Sequence, residues 1–173
     1  MKKHRIIHYE EVDSMDIDEV VEEDNIQLVS FIVASEKYGV DILSVREIIR
    51  VIEITPVPMS RKEIVGVINL RGNVIPVVDF RTLFSLEPID VTNETRIIVI
   101  EHEEVIIGLL VDAVSEVLTV YEHNFEPAPR NNNSDIPDFI STVIVLDDKE
   151  SLLLVVDANS LFKHNEGIPE ATE

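Results

Sequence analysis

Residues 66–79 decide the fold of this 173-residue chain, and they read Gly-Val-Ile-Asn-Leu-Arg-Gly-Asn-Val-Ile-Pro-Val-Val-Asp. Two runs rich in β-branched residues, 66–70 and 74–78, flank the polar residues 71–73, a pattern that predicts a β-hairpin. Asp79 directly follows the second run, and an aspartate in this place often caps a short helical turn. The stretch therefore predicts a strand, a tight turn, a second strand and a helical turn.

Strand-forming residues dominate the rest of the chain as well. The sequence has 25 Val and 23 Ile against 13 Leu and 5 Ala, a balance that favours strands over helices. Helical patterns are short: residues 60–63 match a capping box, and Ile42, Val45 and Ile49 have the spacing of a two-turn helix. The sequence thus predicts an all-β protein with a few short helical turns. Further strands are predicted at residues 27–33, 96–100, 105–111, 139–146 and 152–156.

An internal repeat divides the body of the chain. Three short motifs of the first half recur in the second in the same order, at offsets that grow only by loop-sized insertions. Three ordered matches indicate two homologous all-β halves, at about 26–88 and 95–163. Each half has about five short strands, the size of a small barrel. The matched segments are residues 38–48 with 107–117, 56–58 with 127–129, and 77–79 with 155–157.

The chain is strongly acidic, with 34 acidic and 14 basic residues and a net charge of −20. Such a charge repels phosphate and anionic lipid, so we expect neither nucleic acid as a partner nor direct membrane insertion. Residues 1–24 contain nine acidic and three basic residues without a sustained apolar period, which predicts an acidic, disordered N-terminal tail. Residues 164–173 form a second acidic tail, which leaves a folded domain at 25–163. With no export signal and no apolar run of membrane-spanning length, we expect a cytoplasmic protein.

No pattern in the sequence supports catalysis or a cofactor. The absence of cysteine excludes thiolate zinc sites and cysteine nucleophiles. The histidines lie in tails or charged loops without a second ligand at metal spacing. Neither a Gly-x-Ser-x-Gly elbow nor a glycine-rich phosphate loop is present, and Asp79 and Asp157 are better explained as helix caps than as catalytic carboxylates. We therefore expect no enzyme, no metal site and no cofactor.

Residues 66–79 resemble the signature of the CheW family of bacterial chemotaxis coupling proteins. Three further motifs resemble the family in the same order and at normal spacing, so that the resemblance covers about 26–163. It implies two intertwined five-stranded SH3-like β-barrels around a shared core. The acidic leader before Asn25 departs from the usual family pattern. The further motifs are residues 38–40 with 45–49, 54–58, and 111–118.

The resemblance also implies a function and its partners. Members of the family are adaptors without enzymatic activity that join the cytoplasmic tips of methyl-accepting chemoreceptors to the regulatory domain of the histidine kinase CheA. Such an adaptor is cytoplasmic and is recruited to membrane-associated receptor arrays. Two alternatives remain open: a CheW-like scaffold of a non-motility kinase pathway, which differs only in its partners, and a small-ligand-binding β-barrel, which requires a polar-lined cavity.

The resemblance further implies which residues contact the partners. Receptor tips of the family bind an apolar groove between the barrels, and an amphipathic helix suits such a groove. The alternative is that the matching apolar residues belong to the ordinary core. Glu47 and Arg71 match an acid and a base important for coupling, and they either pair with each other or reach across an interface. The matching groove positions are Val29, Ile42, Val45, Ile48 and Val114.

The two halves differ in charge. Residues 26–88 contain seven acidic and seven basic residues, whereas residues 89–163 contain fifteen acidic and four basic ones, a net charge of −11. We hypothesise that the first half meets acidic patches of receptor or kinase and the second half meets more basic or apolar surface. The alternative is that the bases of the first half merely balance local acids. Six of the seven bases carry this hypothesis: Arg46, Arg50, Arg61, Lys62, Arg71 and Arg81.

Overall fold

The computed structural model describes residues 4–5, 24–130, 136–146 and 151–164. Most of the two predicted tails therefore lies outside the described residues. Within them, 3-10 turns form at Ile42–Ser44 and Glu122–Asn124, and short α-helices at Phe80–Leu83 (α1) and Ala158–His164 (α2). The strands are β1 (His4–Arg5), β2 (Asp24–Val33), β3 (Glu36–Asp41), β4 (Val45–Arg50), β5 (Ile64–Leu70), β6 (Asn73–Asp79), β7 (Arg96–His102), β8 (Val105–Val111), β9 (Ala113–Tyr121), β10 (Phe125–Pro127), β11 (Ile140–Val145) and β12 (Leu152–Val156).

The strands form two sheets, and each sheet takes strands from both halves of the sequence. The first has the order β1-β2-β3-β12-β11-β10, with β9 also paired to β2, and the second has the order β4-β7-β8-β6-β5. Strands β2 and β3 thus join strands of the second half, while β7 and β8 join strands of the first. The all-β, intertwined fold class is confirmed.

The two sheets are closed in different ways, the first by the continuous chain from β9 to β10 and the second by one bridge between Thr55 and β5. In the first sheet, β9 pairs with β2, and β10 follows β9 after the turn Glu122–Asn124 and pairs with β11. In the second sheet, Thr55 lies outside the named strands but bridges Val67 of β5. Each sheet consequently curls around an interior of its own, as a small barrel does.

The parallel pairing is equivalent in the two sheets. Val155 of β12 is opposite Gly39 of β3, and Val77 of β6 is opposite Gly108 of β8. Gly39 and Gly108 are matched positions of the internal repeat, as are Val77 and Val155. The first two strands of each half therefore complete the barrel formed by the last strands of the other.

One cluster of buried residues, which we call the central cluster, contains members of both sheets. Phe80 lies within it, with ring centroids 5.1 Å from Phe31 and 6.2 Å from Phe139. Smaller clusters lie around Val77 and Leu153. Because both sheets contribute to the same core, neither half can bury its apolar residues alone. The central cluster consists of Val29, Phe31, Val33, Tyr38, Val40, Val78, Phe80, Ile98, Ile100, Ile107, Leu109, Val111, Ala128, Phe139, Ile140, Val156 and Leu161.

The predicted helix near Ile42 is wrong. The side chain of Asp41 accepts a hydrogen bond from the backbone N–H of Leu43 at 2.9 Å, but the turn that it caps ends at Ser44. Strand β4 begins at the next residue and pairs with β7 along its length. A strand forms here in spite of the helical spacing, because β-branched residues fit a paired strand. The partner strand is distant in sequence, so the local spacing gives no sign of this pairing. Residues 60–63 also form no helix.

The aspartates at the C-terminal ends of β6 and β12 both cap helices, as predicted. Asp79 Oδ1 accepts a hydrogen bond from the backbone N–H of Arg81 at 2.9 Å at the start of α1. Asp157 Oδ1 accepts one from the backbone N–H of Asn159 at 3.2 Å at the start of α2. A carboxylate used in this way satisfies backbone donors that the helix leaves open.

Candidate partner-binding site

Three predicted groove residues lie where the chain passes from one sheet to the other. Ile42 and Val45 lie at the passage from β3 to β4, and Val114 lies at the passage from β8 to β9. All three side chains are partly buried and pack against the central cluster. Both halves of the repeat thus present apolar side chains at the surface of one cluster.

The other two predicted positions differ in exposure. Val29 is itself a member of the central cluster and is only 3% exposed, so its side chain lies beneath the surface. Ile48 is 40% exposed and lies opposite Ile98 of the central cluster in the pairing of β4 with β7. Strand β4 is the last strand of its sheet, and its outer edge pairs with no other strand of the described ranges. Ile48 is therefore the most accessible of the five positions.

Glu47 and Arg71 pair with each other, one of the two arrangements that the sequence leaves open. Arg71 Nη1 donates to Glu47 Oε1 at 2.5 Å and Nη2 donates to Oε2 at 2.9 Å, a bidentate geometry. Arg71 and Gly72 have φ angles of 51° and 85°, as in two-residue hairpin turns. The side chain of Arg71 is 72% exposed and that of Glu47 is 21% exposed. The turn thus presents an oriented guanidinium at the surface.

The pairing of Glu47 with Arg71 also affects how both groups titrate. The hydrogen bonds from Arg71 lower the pKa of Glu47, and the hydrogen bonds to Glu47 raise the pKa of Arg71. Both shifts favour the charged forms. The pair is therefore ionised at neutral pH, and a partner meets it as a dipole rather than as a lone positive charge.

A second bidentate pair joins the two sheets, and sequence reasoning missed it. Asp112 lies between β8 and β9, where the chain leaves the five-stranded sheet. Its carboxylate accepts from Arg81 Nε at 2.9 Å, from Arg81 Nη2 at 2.6 Å and from the backbone N–H of Ala34 at 2.9 Å. The side chains of Arg81 and Asp112 are 17% and 21% exposed. The only signal in the sequence is the position of Asp112 within the family-like motif 111–118.

The environment of this pair has opposite effects on two neighbouring carboxyl groups. Burial raises the pKa of Asp112, but the hydrogen bonds from Arg81 and Ala34 outweigh burial, and the net pKa lies below the ordinary value. The pKa of Asp79 is raised, chiefly because burial disfavours its charged form. Asp112 is thus the carboxylate that holds a charge most readily at this junction.

We expect Asp112→Asn to lower the free energy of unfolding by about 1–3 kcal/mol, because Arg81 loses its charged partner in a mostly buried site. Since folding lowers the pKa of Asp112, its ionisation stabilises the fold above the pKa of the unfolded state. That stabilisation disappears as pH falls through the lower pKa of the folded state. Between about pH 5 and pH 2 the variant should therefore lose less stability than the parent chain, as urea unfolding would measure.

Asp138→Asn is the matched control for this prediction. Asp138 also pairs with an arginine, at 2.8 Å from Arg130, but its side chain is 95% exposed. Exposed pairs contribute little to stability, so this variant should unfold like the parent. Equal urea midpoints for Asp112→Asn and the parent would contradict a stabilising role of the Arg81 pair.

The described residues show no arrangement suited to metal binding or to crossing a membrane. Within the described ranges, no group of three or more His, Asp or Glu side chains could hold a metal ion, and no helix is long and apolar enough to cross a membrane. His102 packs beside Phe162 with ring centroids 5.7 Å apart, and His123 stacks on Tyr121 at 5.7 Å. Both histidines thus make packing contacts.

Fold and site together define a class of protein: an all-β module of two intertwined sheets, with apolar side chains from both halves at the passages between them. The chain belongs to the CheW-like family, because the family's CheW-like domain matches residues 27–166. Proteins of this family are chemotaxis scaffolds, and the resemblance seen in the sequence is confirmed.

Individual relatives agree with this assignment. The chain is 34% identical over 135 residues to the chemotaxis protein CheW of Bacillus subtilis, covering 78% of this chain and 85% of that protein. It is 34% identical over 140 residues to the chemotaxis protein CheW of Rhizobium meliloti, covering 81% and 89%. The crystal structure of the scaffolding protein TtCheW from Thermoanaerobacter tengcongensis matches with a TM-score of 0.69 and 34% identity, over 76% of this chain and 88% of that one.

Proposed function

We propose that the chain is a non-enzymatic adaptor that couples the cytoplasmic tips of chemoreceptors to the histidine kinase CheA. The observation that carries the proposal is the convergence of Ile42, Val45 and Val114 on the central cluster, with exposed Ile48 on the adjoining strand. Three apolar side chains at the passages between the sheets and a fourth on the adjoining strand suit an amphipathic helix, which binds through an apolar stripe. Membership of a chemotaxis scaffold family supports a receptor helix as the occupant.

The energy available at such a surface is sufficient for specific but reversible binding. Covering an exposed aliphatic side chain completely is worth about 1.5–3 kcal/mol. Ile48 is 40% exposed, and the other three are less exposed, so each supplies a fraction of that amount. Part of the gain offsets the entropy lost on association. An adaptor that must respond to receptor conformation benefits from binding of this intermediate strength.

Glu47 and Arg71 are the polar part of the proposed coupling surface. Glu47 precedes Ile48 on β4 with its side chain on the other side of the strand, and the 72% exposed side chain of Arg71 is oriented by its bidentate pair. A guanidinium held in this way loses little conformational entropy when a partner binds it. We assign the pair to contact with the kinase or the receptor, at arrays that form on the cytoplasmic side of the membrane.

Reconstitution of the three-component complex tests the proposal. Full-length protein, the CheA-type kinase of the source organism and a chemoreceptor in lipid vesicles are combined, and kinase autophosphorylation is measured. We expect the complete mixture to change kinase activity at least about fivefold relative to kinase with receptor alone, the usual range of a coupling free energy. Unchanged activity, together with no capture of either partner, would contradict the adaptor role. If the protein changed the activity only of a kinase from a non-motility pathway, it would still be an adaptor, but with a different kinase as its partner.

The double exchange Glu47→Arg with Arg71→Glu is the matched variant for the polar contact. It preserves an ion pair between the two positions, and exposed pairs contribute little to stability, so the variant should unfold at the same urea concentration as the parent. The charge presented to a partner is reversed, and kinase coupling should fall with it. Full coupling by the exchanged variant would show that the pair serves the fold alone.

A further inference from the structure

One end of the proposed groove is basic. Arg50, the last residue of β4, lies opposite Arg96, the first residue of β7. Residues directly opposite each other on antiparallel strands share a face, with Cβ atoms about 4.5–5.5 Å apart. Two like charges at this distance repel each other and oppose strand pairing. The chain has a net charge of −20, yet strand pairing places these two positive charges opposite each other, and their repulsion does not help the strands to pair.

This basic pair shares its face with the exposed groove residue Ile48. Side chains alternate along a strand, so Ile48 and Arg50 lie on the same side of β4, about 6.5–7 Å apart along it. The residues opposite them, Ile98 and Arg96, follow the same alternation, and Ile98 belongs to the central cluster. The two arginines therefore extend the apolar surface at one end.

Neither guanidinium of the pair has an acidic partner within the described residues. Arg50 is exposed, and Arg96 Nη1 donates to the carbonyl oxygens of Asn93 at 2.7 Å and Thr95 at 2.8 Å. Carbonyl groups orient a guanidinium without cancelling its charge. Most other bases of the first half lie beside an acidic side chain. This agrees with the alternative given above, in which these bases balance local acids. The neutralised bases are Lys37 with Glu116, Arg46 with Glu101, Arg61 with Glu63, Arg71 with Glu47, and Arg81 with Asp112.

We propose that Arg50 and Arg96 bind an acidic side chain of the helix that occupies the groove. The inference rests on the proposed adaptor function and adds the chemistry of the partner to it. The helix places an apolar residue over Ile48 and an Asp or Glu three or four residues away. Such residues on a helix are about 5–6 Å apart, close to the spacing of Ile48 and Arg50. A carboxylate there accepts hydrogen bonds from guanidinium groups and relieves their mutual repulsion.

The contribution of this contact is expected mainly in the rate of association. Arg50 is exposed, so the contact lies at the rim of the interface rather than in its apolar centre. Rim charges act by steering the partner, and their effect on the association rate decreases as salt screens them. Apolar contact at Ile48 sets affinity, and the basic pair selects helices that carry an acid in the right place.

The test uses full-length protein and, as probe, a fragment of a chemoreceptor cytoplasmic tip from the source organism. Arg50→Glu should slow association with the fragment about fivefold or more and flatten the salt dependence of the rate. The same variant places an acid opposite Arg96 and replaces repulsion with attraction. Its thermal unfolding temperature should therefore equal or exceed the parent's, which separates slower binding from damage to the fold.

Lys62→Glu is the matched control for Arg50→Glu. Lys62 is also exposed and has no acidic partner in the described ranges, but it lies in the turn before β5. Both variants change the net charge by the same amount. If net charge alone slowed association, both variants would bind equally slowly, and this result would count against the inference. We expect Lys62→Glu to stay within about twofold of the parent. Replacing the proposed acid of the fragment with lysine should restore fast association to Arg50→Glu.

Each remaining outcome decides a different question. Equal association of the parent and Arg50→Glu would overturn the inference and leave the adaptor function intact. Absence of binding by the parent would overturn both. Faster association of Arg50→Glu would mean that an acidic segment of the chain itself, such as residues 1–24 with nine acidic residues, occupies the pair, and would overturn the inference as well.

Discussion

Gly66→Ala is expected to lower the free energy of unfolding by about 2–4 kcal/mol, a large effect for the addition of one methyl group. A Cβ atom at this position would lie 2.3 Å from the carbonyl oxygen of Thr55 and 2.7 Å from its carbonyl carbon. Contacts this short involve backbone atoms, which cannot move aside as the end of a side chain can. The strand would have to shift as a whole.

The backbone of Thr55 approaches Gly66 because it closes the five-stranded sheet. Thr55 N–H donates to the carbonyl oxygen of Val67 at 2.8 Å, and Val67 N–H donates to that of Thr55 at 2.8 Å. The pairing of β5 with β6 also shifts register between Ile64 and Gly66, a place where strands bend. Alanine at 66 would therefore break the closing bridge. Urea unfolding followed by circular dichroism measures the loss.

Gly72→Asn is the control for Gly66→Ala. Gly72 has a φ angle of 85°, and nothing lies within 4 Å of the Cβ that a side chain would add. Asparagine tolerates this left-handed conformation better than most residues, so the cost should remain below about 1 kcal/mol. Equal destabilisation by the two substitutions would show that loss of glycine flexibility matters and the contact with Thr55 does not.

Ile48→Asp is expected to weaken binding of a chemoreceptor tip roughly 10- to 100-fold. Ile48 is the most accessible of the predicted groove residues, at 40% exposure. An aspartate there removes an apolar contact and forces a charge to lose its water when the helix binds. Because the position is partly solvated in the free protein, the fold itself should remain nearly as stable as before. Isothermal calorimetry with the receptor fragment measures the affinity.

Ile89→Asp is the matched control for the groove variant. Ile89 is 50% exposed and lies in the connection between α1 and β7, so it belongs to neither sheet and is none of the predicted groove positions. The residue types and the charge change are the same, so only position differs. We expect its affinity for the receptor fragment to stay within about threefold of the parent's. Comparable weakening by both variants would place the receptor site elsewhere.

Local patterns predicted the capping aspartates and many of the strands, namely β2, β5, β6, β7, β8, β11 and β12, but not β3, β9 or β10. The hairpin of residues 66–79 appears as β5 and β6, and Asp79 caps the helix that follows. These features depend on residues within a few positions of each other, where strand propensity and turn chemistry act directly. The groove positions came from the family resemblance, and the structure brings Ile42, Val45 and Val114 to one cluster.

The same local reasoning failed where a distant strand decides the outcome. Ile42, Val45 and Ile49 have helical spacing, yet β4 forms because β7, about fifty residues further along the chain, pairs with it. The Asp112 pair was missed because Arg81 and Asp112 are separated by 31 residues and meet only through the crossing of the sheets. Gly66 likewise looks like an ordinary first residue of the strand run 66–70 until the tertiary structure places Thr55 against it.

By itself, the sequence determined the all-β class, the twofold repeat and the charge difference between the halves, because composition, spacing and charge are properties of the chain. Only the tertiary structure decided that each sheet combines the first two strands of one half with the later strands of the other half. It also decided that Arg71 pairs with Glu47 while Arg50 lies beside Arg96 with no acidic partner among the described residues. Strand pairing between distant segments sets both results, and its register leaves no local trace in the sequence.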